Sequence, residues 1–357
     1  MLQALALAER AIGVSDPNPR VGCVIGDESG NVFGSGHTQI VGGAHAEAMA
    51  LAQAVSGGAP LVGATAWVTL EPCSHFGRTP PCSEALITAG IGRVVVATID
   101  PFPKVRGSGI ARLRDAGITV DLADASIVSL ARELNVGYFS RLERKRPWVR
   151  MKVAASLDGR TALSNGSSQW ITGETSRHDG HLWRKRASAI LTGIGTVLRD
   201  DPRMDVRYVQ TEVQPLRVVA DTNLRTPWNA RIRQPPGRVL IATCQIPVGR
   251  QLDRDDVEVL TLPAIGPHLD LDALLAELAV RDVNELHLEA GAVLNGAMLA
   301  TGKVDELLLY VAPKLLGDGP GIAALPPLTT LDNCSKFAFH DVEYMGDDVR
   351  LRLRART

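Results

Sequence analysis

The sequence predicts an α/β fold arranged as two domains. Strand-length apolar runs alternate with stretches of helical apolar spacing along the whole chain. No internal repeat is visible, so the halves are different domains and not copies of one another. A highly charged stretch ending in proline, Arg141-Leu-Glu-Arg-Lys-Arg-Pro147, interrupts the alternation and sets the division at residues 1–145 and 146–357. With 357 residues and 45% hydrophobic side chains, the chain can fill two cores.

In the first half, Leu2 to Ile12 has helical spacing. Val21–Ile25 and Val32–Gly36 read as a strand pair about the turn Asp27-Glu-Ser-Gly30. A helix is expected over Ala46–Val55, a strand over Thr65–Leu70 and a helix from Cys82 to Ala89. Strands at Arg93–Thr98 and Ile118–Leu122 follow, with helices at Gly109–Ala116 and Ala125–Phe139. The charged stretch 141–147 reads as a solvated linker. In the second half, strands are expected at Trp148–Ala155, Ala189–Gly193, Leu216–Ala220, Val239–Thr243, Val257–Leu260, Glu285–Glu289 and Glu306–Ala312. Helices are expected at Thr175–Ala187 and Leu271–Ala279, and a closing hairpin around Gly346-Asp-Asp348.

Composition narrows the function. The net charge of −1 shows no basic bias, so nucleic acid is not an expected partner. No apolar run is long enough for a membrane span, and the N-terminus lacks a signal-peptide pattern. Five scattered cysteines do not make a disulfide framework. A reducing, cytoplasmic location is therefore expected, with Cys23, Cys244 and Cys334 as packed thiols.

The chemistry-bearing run is His45-Ala46-Glu47, followed by Pro72-Cys73 and Cys82. It offers an imidazole, two thiols and a carboxylate. Zinc prefers N and S ligands in a tetrahedron, and a catalytic site keeps three protein ligands and one open position. His45, Cys73 and Cys82 are the candidate ligands, and both thiols are expected at helix starts. Glu47 is then the proton carrier of a zinc-dependent deaminase. The general deaminase pattern ends Pro-Cys-x-x-Cys, whereas here Ser74 to Pro81 separate the cysteines. A closed structural zinc site would need a fourth side chain.

With the segment Cys73-Ser-His-Phe-Gly-Arg-Thr-Pro-Pro-Cys82 the chain resembles the bifunctional riboflavin-biosynthesis deaminase–reductases. Asp16-Pro-Asn-Pro-Arg-Val-Gly22, Thr69-Leu-Glu-Pro-Cys73 and Ser156-Leu-Asp-Gly-Arg160 carry the same resemblance, which covers nearly the whole chain. It implies a cytidine-deaminase-like three-layer domain followed by a dihydrofolate-reductase-like domain. It also implies a small-molecule substrate, 2,5-diamino-6-(5-phosphoribosylamino)pyrimidin-4-one, deaminated at C2. Asn18, His75, Arg78 and Thr79 would contact it, although Asn18 also reads as a turn residue between two prolines. A homo-oligomer is expected.

In the second half two glycine-bearing strand ends, Thr192-Gly-Ile-Gly195 and Glu289-Ala-Gly291-Ala-Val-Leu-Asn-Gly296, open onto helices. Such ends let backbone amides approach a phosphate, but neither is the full Gly-x-Gly-x-x-Gly fingerprint. Tight turns that only pack a helix on a sheet would look the same. The resemblance implies NADPH here, lined by Ala155, Trp170, Thr196, Asp200, Thr222 and Gly291, Ala292, Val293, Leu294, Asn295, Gly296 and Ala297. It places Lys152, Ser168, Arg184, Met204, Arg207 and Glu289 at the substrate, with hydride delivered to the ribose C1′ to give a ribityl chain. Plainer readings stand beside these: Trp170 in the core, Arg184 as a helix-surface charge, Asp200 as a helix-end cap.

Two positions depart from the family pattern. Histidine stands at His37, one position early in Gly36-His37-Thr38, and Met49 occupies a site where relatives often carry a polar residue. A tRNA or nucleoside deaminase would share the ligand set but needs no second domain. An NADPH-sensing protein, or a degenerate deaminase with structural zinc, is the remaining rival, and the intact Glu47 opposes the latter.

Overall fold

Two mixed α/β units make up the chain in a computed structural model, Met1–Lys145 and Arg146–Thr357. The structure describes residues 1–75, 80–246 and 257–356. No helix among them is long and apolar enough to cross a membrane.

The first unit runs α1 (Leu2–Glu9), β1 (Gly22–Gly26), β2 (Val32–His37), α2 (Ala46–Ser56), β3 (Thr65–Val68), α3 (Cys82–Thr88), β4 (Arg93–Val96), α4 (Ser108–Asp115), β5 (Thr119–Leu122), α5 (Ala125–Leu134) and α6 (Val136–Arg144). Its sheet has five strands in the order β2-β1-β3-β4-β5. β1 pairs antiparallel with β2 and β3, as the turn at Asp27–Gly30 dictates, and β3, β4 and β5 are parallel. Ile25, Val68, Leu86, Val94 and Leu113 are buried in the main core, and Leu5, Ala97 and Ala131 form a smaller one under α1 and α5. Glycines on β2 decide where α2 lies. A Cβ on Gly34 would stand 2.1 Å from the Ala50 carbonyl oxygen, and one on Gly36 2.5 Å from that of Ala46. The helix therefore rests on bare strand backbone.

The expected helix at Ala125–Phe139 is broken at Asn135. This buried side chain accepts from the Arg20 amide at 2.7 Å and donates to the Arg20 carbonyl at 2.9 Å. The stretch 141–147 is also not a simple solvated linker. Arg141 and Arg144 close the last turn of α6, Arg144 bonds back to Ser140, and the Arg141 guanidinium lies 5.7 Å from the centre of the Tyr138 ring.

The second unit runs β6 (Trp148–Ser156), α7 (Glu174–Arg186), β7 (Ala189–Gly193), α8 (Ile194–Asp200), β8 (Leu216–Ala220), β9 (Val239–Thr243), β10 (Val257–Thr261), β11 (Ala264–Ile265), β12 (His268–Leu269), α9 (Leu271–Val280), β13 (Glu285–Leu288), α10 (Ala292–Ala300), β14 (Glu306–Ala312), β15 (Phe337–Met345) and β16 (Asp348–Ala355). Nine strands form one sheet in the order β10-β9-β8-β7-β13-β6-β14-β16-β15. It is parallel from β10 to β14 and antiparallel beyond, where the expected hairpin turns at Gly346 with φ 68°. Because β7, β8 and β13 run parallel as near neighbours, their C-terminal ends meet at one sheet edge. Ligands of open α/β sheets bind at such an edge.

Candidate metal centre and reductase site

His45 is the extended N-cap of α2, immediately before the first helical turn. Cys82 is the first residue of α3. Cys73 follows β3 in non-helical backbone, which corrects the expectation that both thiols open helices. Helix α3 still reaches Cys73, since the Cys82 N–H donates to its Sγ at 3.3 Å and the Ser83 N–H donates to its carbonyl. The two sulfurs lie 3.7 Å (Cys73) and 3.3 Å (Cys82) from His45 Nδ1, and the three ligand atoms fall within 4.8 Å of one another. Both cysteines are free thiols. One nitrogen and two sulfurs at this spacing fit a tetrahedral zinc ion with one position left open.

Electrostatics separates the roles. The Cys73 thiol is pulled well down, first by the hydrogen bond from the Cys82 thiol and also by His45. Glu47, in the first turn of α2, is only 4% exposed. Burial, aided by the Cys73 charge, raises its carboxyl to about 7. A carboxyl poised there can take and return a proton near neutral pH.

Asn18 is held in a turn by Ser15, and Arg20 beyond it is locked to Asn135, so the loop carrying Asn18 is pinned. The His75 ring lies 5.9 Å from that of Phe102, and its buried Nδ1 has no hydrogen-bond partner among the described residues. Arg78 and Thr79 lie outside the described residues. The sequence reading passed over Glu71, which is buried and accepts four backbone amides beside Cys73.

In the second unit, Arg184 grips Glu289 with two nitrogens, Nε to Oε1 at 2.6 Å and Nη2 to Oε2 at 2.9 Å. Lys152 Nζ is 3.9 Å from Glu289 Oε2. Burial alone would raise the Glu289 carboxyl, but Arg184 and Lys152 outweigh it and hold it well below the usual carboxylate range. Arg184 also donates to the Asp205 carbonyl and lies 3.9 Å from the Met204 sulfur, while Arg207 pairs with Asp205. Five of the expected substrate residues (Lys152, Arg184, Met204, Arg207 and Glu289) therefore share one cluster. Arg184 is only 13% exposed and engaged with Glu289, not a free helix-surface charge. Ser168 has no hydrogen bond to this group among the described residues. His181 went unnoticed in the sequence: its Nδ1 accepts the Arg207 amide at 3.2 Å and its ring packs on Tyr208.

At the sheet edge, α8 and α10 begin side by side, and a Cβ on Gly291 would come 3.8 Å from Thr196 Oγ1. Nothing lies within 4 Å of a Cβ built on Gly195. Thr192 Oγ1 and Asp221 Oδ1, buried at neighbouring strand ends, have no hydrogen-bond partner among the described residues. Bare backbone and unmet polar atoms suit a nucleotide cofactor. Ala155 is buried on β6, and Thr222 Oγ1 accepts the Leu269 amide. Asp200 ends α8. Trp170 is 58% exposed and not core; Arg177 lies 4.6 Å from its ring centre. Within Gly291–Ala297, Gly291, Val293 and Ala297 are exposed, while Asn295 and Gly296 are buried. Leu294 packs towards Gly193, Asn295 donates to the Ile322 carbonyl, and a Cβ on Gly296 would stand 2.0 Å from the Ala324 oxygen.

Comparison with known proteins fits both units. Residues 147–351 match the family model for the RibD C-terminal domain, and residues 1–98 match the cytidine and deoxycytidylate deaminase zinc-binding region. The Escherichia coli (strain K12) riboflavin biosynthesis protein RibD is 43% identical over 99% of this chain and 98% of its own length. The chain belongs to the RibD family. Its Aquifex aeolicus relative is 39% identical over 98% of this chain and 96% of its own. The Acinetobacter baumannii RibD structure superposes with TM-score 0.90 at 39% identity, covering 100% of this chain and 98% of that one. A Thermotoga maritima structure, a diaminohydroxyphosphoribosylaminopyrimidine deaminase/5-amino-6-(5-phosphoribosylamino)uracil reductase, gives 0.89 at 31% identity, covering 100% and 97%. As a RibD-family chain it is a bifunctional enzyme of riboflavin biosynthesis, a zinc-dependent deaminase and an NADPH-dependent reductase.

Proposed function

We propose that the first unit deaminates 2,5-diamino-6-(5-phosphoribosylamino)pyrimidin-4-one, and that the second reduces the ribosyl group of the resulting uracil to ribityl. The observation that carries this reading is the convergence of His45, Cys73 and Cys82 with a buried, proton-poised Glu47. His45, Cys73 and Cys82 are the zinc ligands in this reading. Bound zinc would supply the acidity that makes a water nucleophilic at neutral pH. Glu47 takes a proton from the attacking water and hands it to the departing amine, so oxygen replaces nitrogen at C2 and ammonia leaves. Asn18 and His75 face the substrate; Arg78 and Thr79 belong to the same proposal by resemblance alone.

In the second unit the cofactor carries the hydride chemistry, and the chain's residues position the reactants. Arg184 and Arg207 suit a sugar phosphate through paired N–H donors. Glu289, kept ionised by Arg184 and Lys152, is an acceptor for ribose hydroxyls or pyrimidine N–H groups. The strand-end residues Ala155, Thr196 and Thr222, with Trp170, Asp200 and Gly291–Ala297, line the cofactor. Free thiols at the metal centre suit a reducing cytoplasm. Exposed Phe339, Val342 and Tyr344 on edge strand β15 suit a homo-oligomer.

An anaerobic assay of the purified chain with the diamino substrate, following ammonia and NADPH together, tests the reading. One NADPH should be consumed per ammonia released, with ammonia appearing first. NADPH consumption without ammonia, or ammonia alone, would remove one of the two assignments.

A further inference from the structure

The metal centre needs Cys73 held at one place, yet Cys73 lies in irregular backbone between β3 and α3. On its far side α3 grips it through the Cys82 and Ser83 amides. On its near side stands Glu71, buried and two residues away. Glu71 Oε2 accepts the Asp100 amide at 3.2 Å and the Gly107 amide at 2.9 Å. Its Oε1 accepts the Gly109 amide at 2.9 Å and the Ile110 amide at 3.1 Å, both in the first turn of α4. The Glu71 amide itself donates to the Thr98 carbonyl at the exit of β4. A Cβ on Gly109 would stand 1.9 Å from the Pro72 oxygen, so α4 touches the peptide that leads into Cys73. Ser74 and Ser108 hydroxyls meet at 2.6 Å on the other side of that sulfur-bearing residue.

An ionised carboxylate offers about four lone-pair sites, and here four backbone amides occupy them. Glu71 could take a proton from a reacting group only by giving up one of these bonds. Glu47, also buried beside the thiols, accepts no comparable set of four amides among the described residues. Two glutamates close to the thiols thus have different work.

We propose that Glu71 is a positioning residue: it clamps the α4 start to the segment 71–74 and so fixes Cys73 for the metal, while taking no part in proton transfer. This rests on the reading of His45, Cys73 and Cys82 as ligands. Residues that orient metal ligands from behind commonly change metal affinity or activity roughly 10–100-fold when replaced. Glu71→Gln keeps the shape but turns an NH2 group towards N–H donors.

The test uses the full chain, with zinc affinity by competition with a chelator and the cobalt(II)–thiolate absorption spectrum as readouts. Glu71→Gln should weaken metal binding roughly 10–100-fold, alter the cobalt spectrum and recover much of its ammonia release when zinc is raised. The reductase reaction on the deaminated substrate should stay within about 2-fold, which shows the second unit is intact. Unchanged affinity and an unchanged cobalt spectrum overturn the proposal. So does a first unit that no longer melts cooperatively and that no zinc concentration restores, since Glu71 would then serve folding alone. Cys73→Ser is the control for the underlying reading: if it keeps the wild-type affinity and spectrum, the ligand assignment fails, whatever Glu71 does.

Discussion

Arg184 and Glu289 are joined in a two-bond fork although 105 residues apart in sequence, at 2.6 and 2.9 Å. The pair spans α7 and the end of β13, so it ties the helix to the sheet edge where the cofactor residues gather. Both side chains are largely buried. Lysine cannot reproduce the planar fork. Arg184→Lys should therefore lower kcat/KM for NADPH oxidation about 100-fold, while ammonia release from the diamino substrate stays within about 2-fold. Parallel assays of the two half-reactions check this, and equal losses in both would reject it.

Glu47 should be separable from the ligands. Glu47→Gln keeps the size of the side chain and removes its proton chemistry, so zinc content should stay near one per chain while kcat for deamination falls about 10²–10⁴-fold. Metal analysis beside ammonia kinetics decides this. Loss of zinc in this variant would make Glu47 a ligand instead.

Chelation should divide the activities. Removing the metal abolishes ammonia release but leaves NADPH oxidation by pre-deaminated substrate, because the proposed reductase residues include none of the three ligands. Calorimetry should also show the melting of the first unit shifted down, since a ligand that binds only the folded state stabilises it. A reductase that stops with the metal would contradict the division.

Glu306 supplies a pH-dependent term. It sits unexposed on β14 beside Arg150, Arg352 and Arg354. Burial acts to raise its carboxyl, but Arg150 and Arg352 win and bring it down to about 2. A folded value below the unfolded one means that the unfolded chain binds more protons between them. The contribution is complete above about pH 4.5 and is lost as pH falls towards 2. Glu306→Gln should cost about 3 kcal/mol at pH 7, because it removes the carboxylate shared by Arg150, Arg352 and Arg354 and leaves buried Arg150 with Glu285 alone. Its stability should then vary less with pH across that acid window, as urea titrations at several pH values would show. An equal slope in both proteins would contradict this.

Much of the first unit was legible because its signals are local. The turn at Asp27–Gly30 paired β1 with β2, and the helical spacing of Ala46–Val55 placed α2 one residue short of its end at Ser56. The ligand set could be read since metal chemistry demands particular side chains. What stayed hidden depends on distant partners. The break at Asn135 answers to Arg20, 115 residues away. Cys73 gains its helix amide from Cys82 across residues 74–81. Glu71 was visible only as part of Thr69-Leu-Glu-Pro-Cys73, with nothing local to show that α4 would donate to it. The burial of Arg184 follows from Glu289, and the exposure of Trp170 from a loop with no periodic pattern.

Zinc-edge X-ray absorption on the metal-loaded chain tests the centre most directly. Two sulfurs near about 2.3 Å, one nitrogen at about 2.0–2.1 Å and one light solvent atom are expected, with the nitrogen lost in His45→Ala and a sulfur lost in Cys73→Ser. A fourth protein donor, or a bond between the two sulfurs with metal present, would contradict the account.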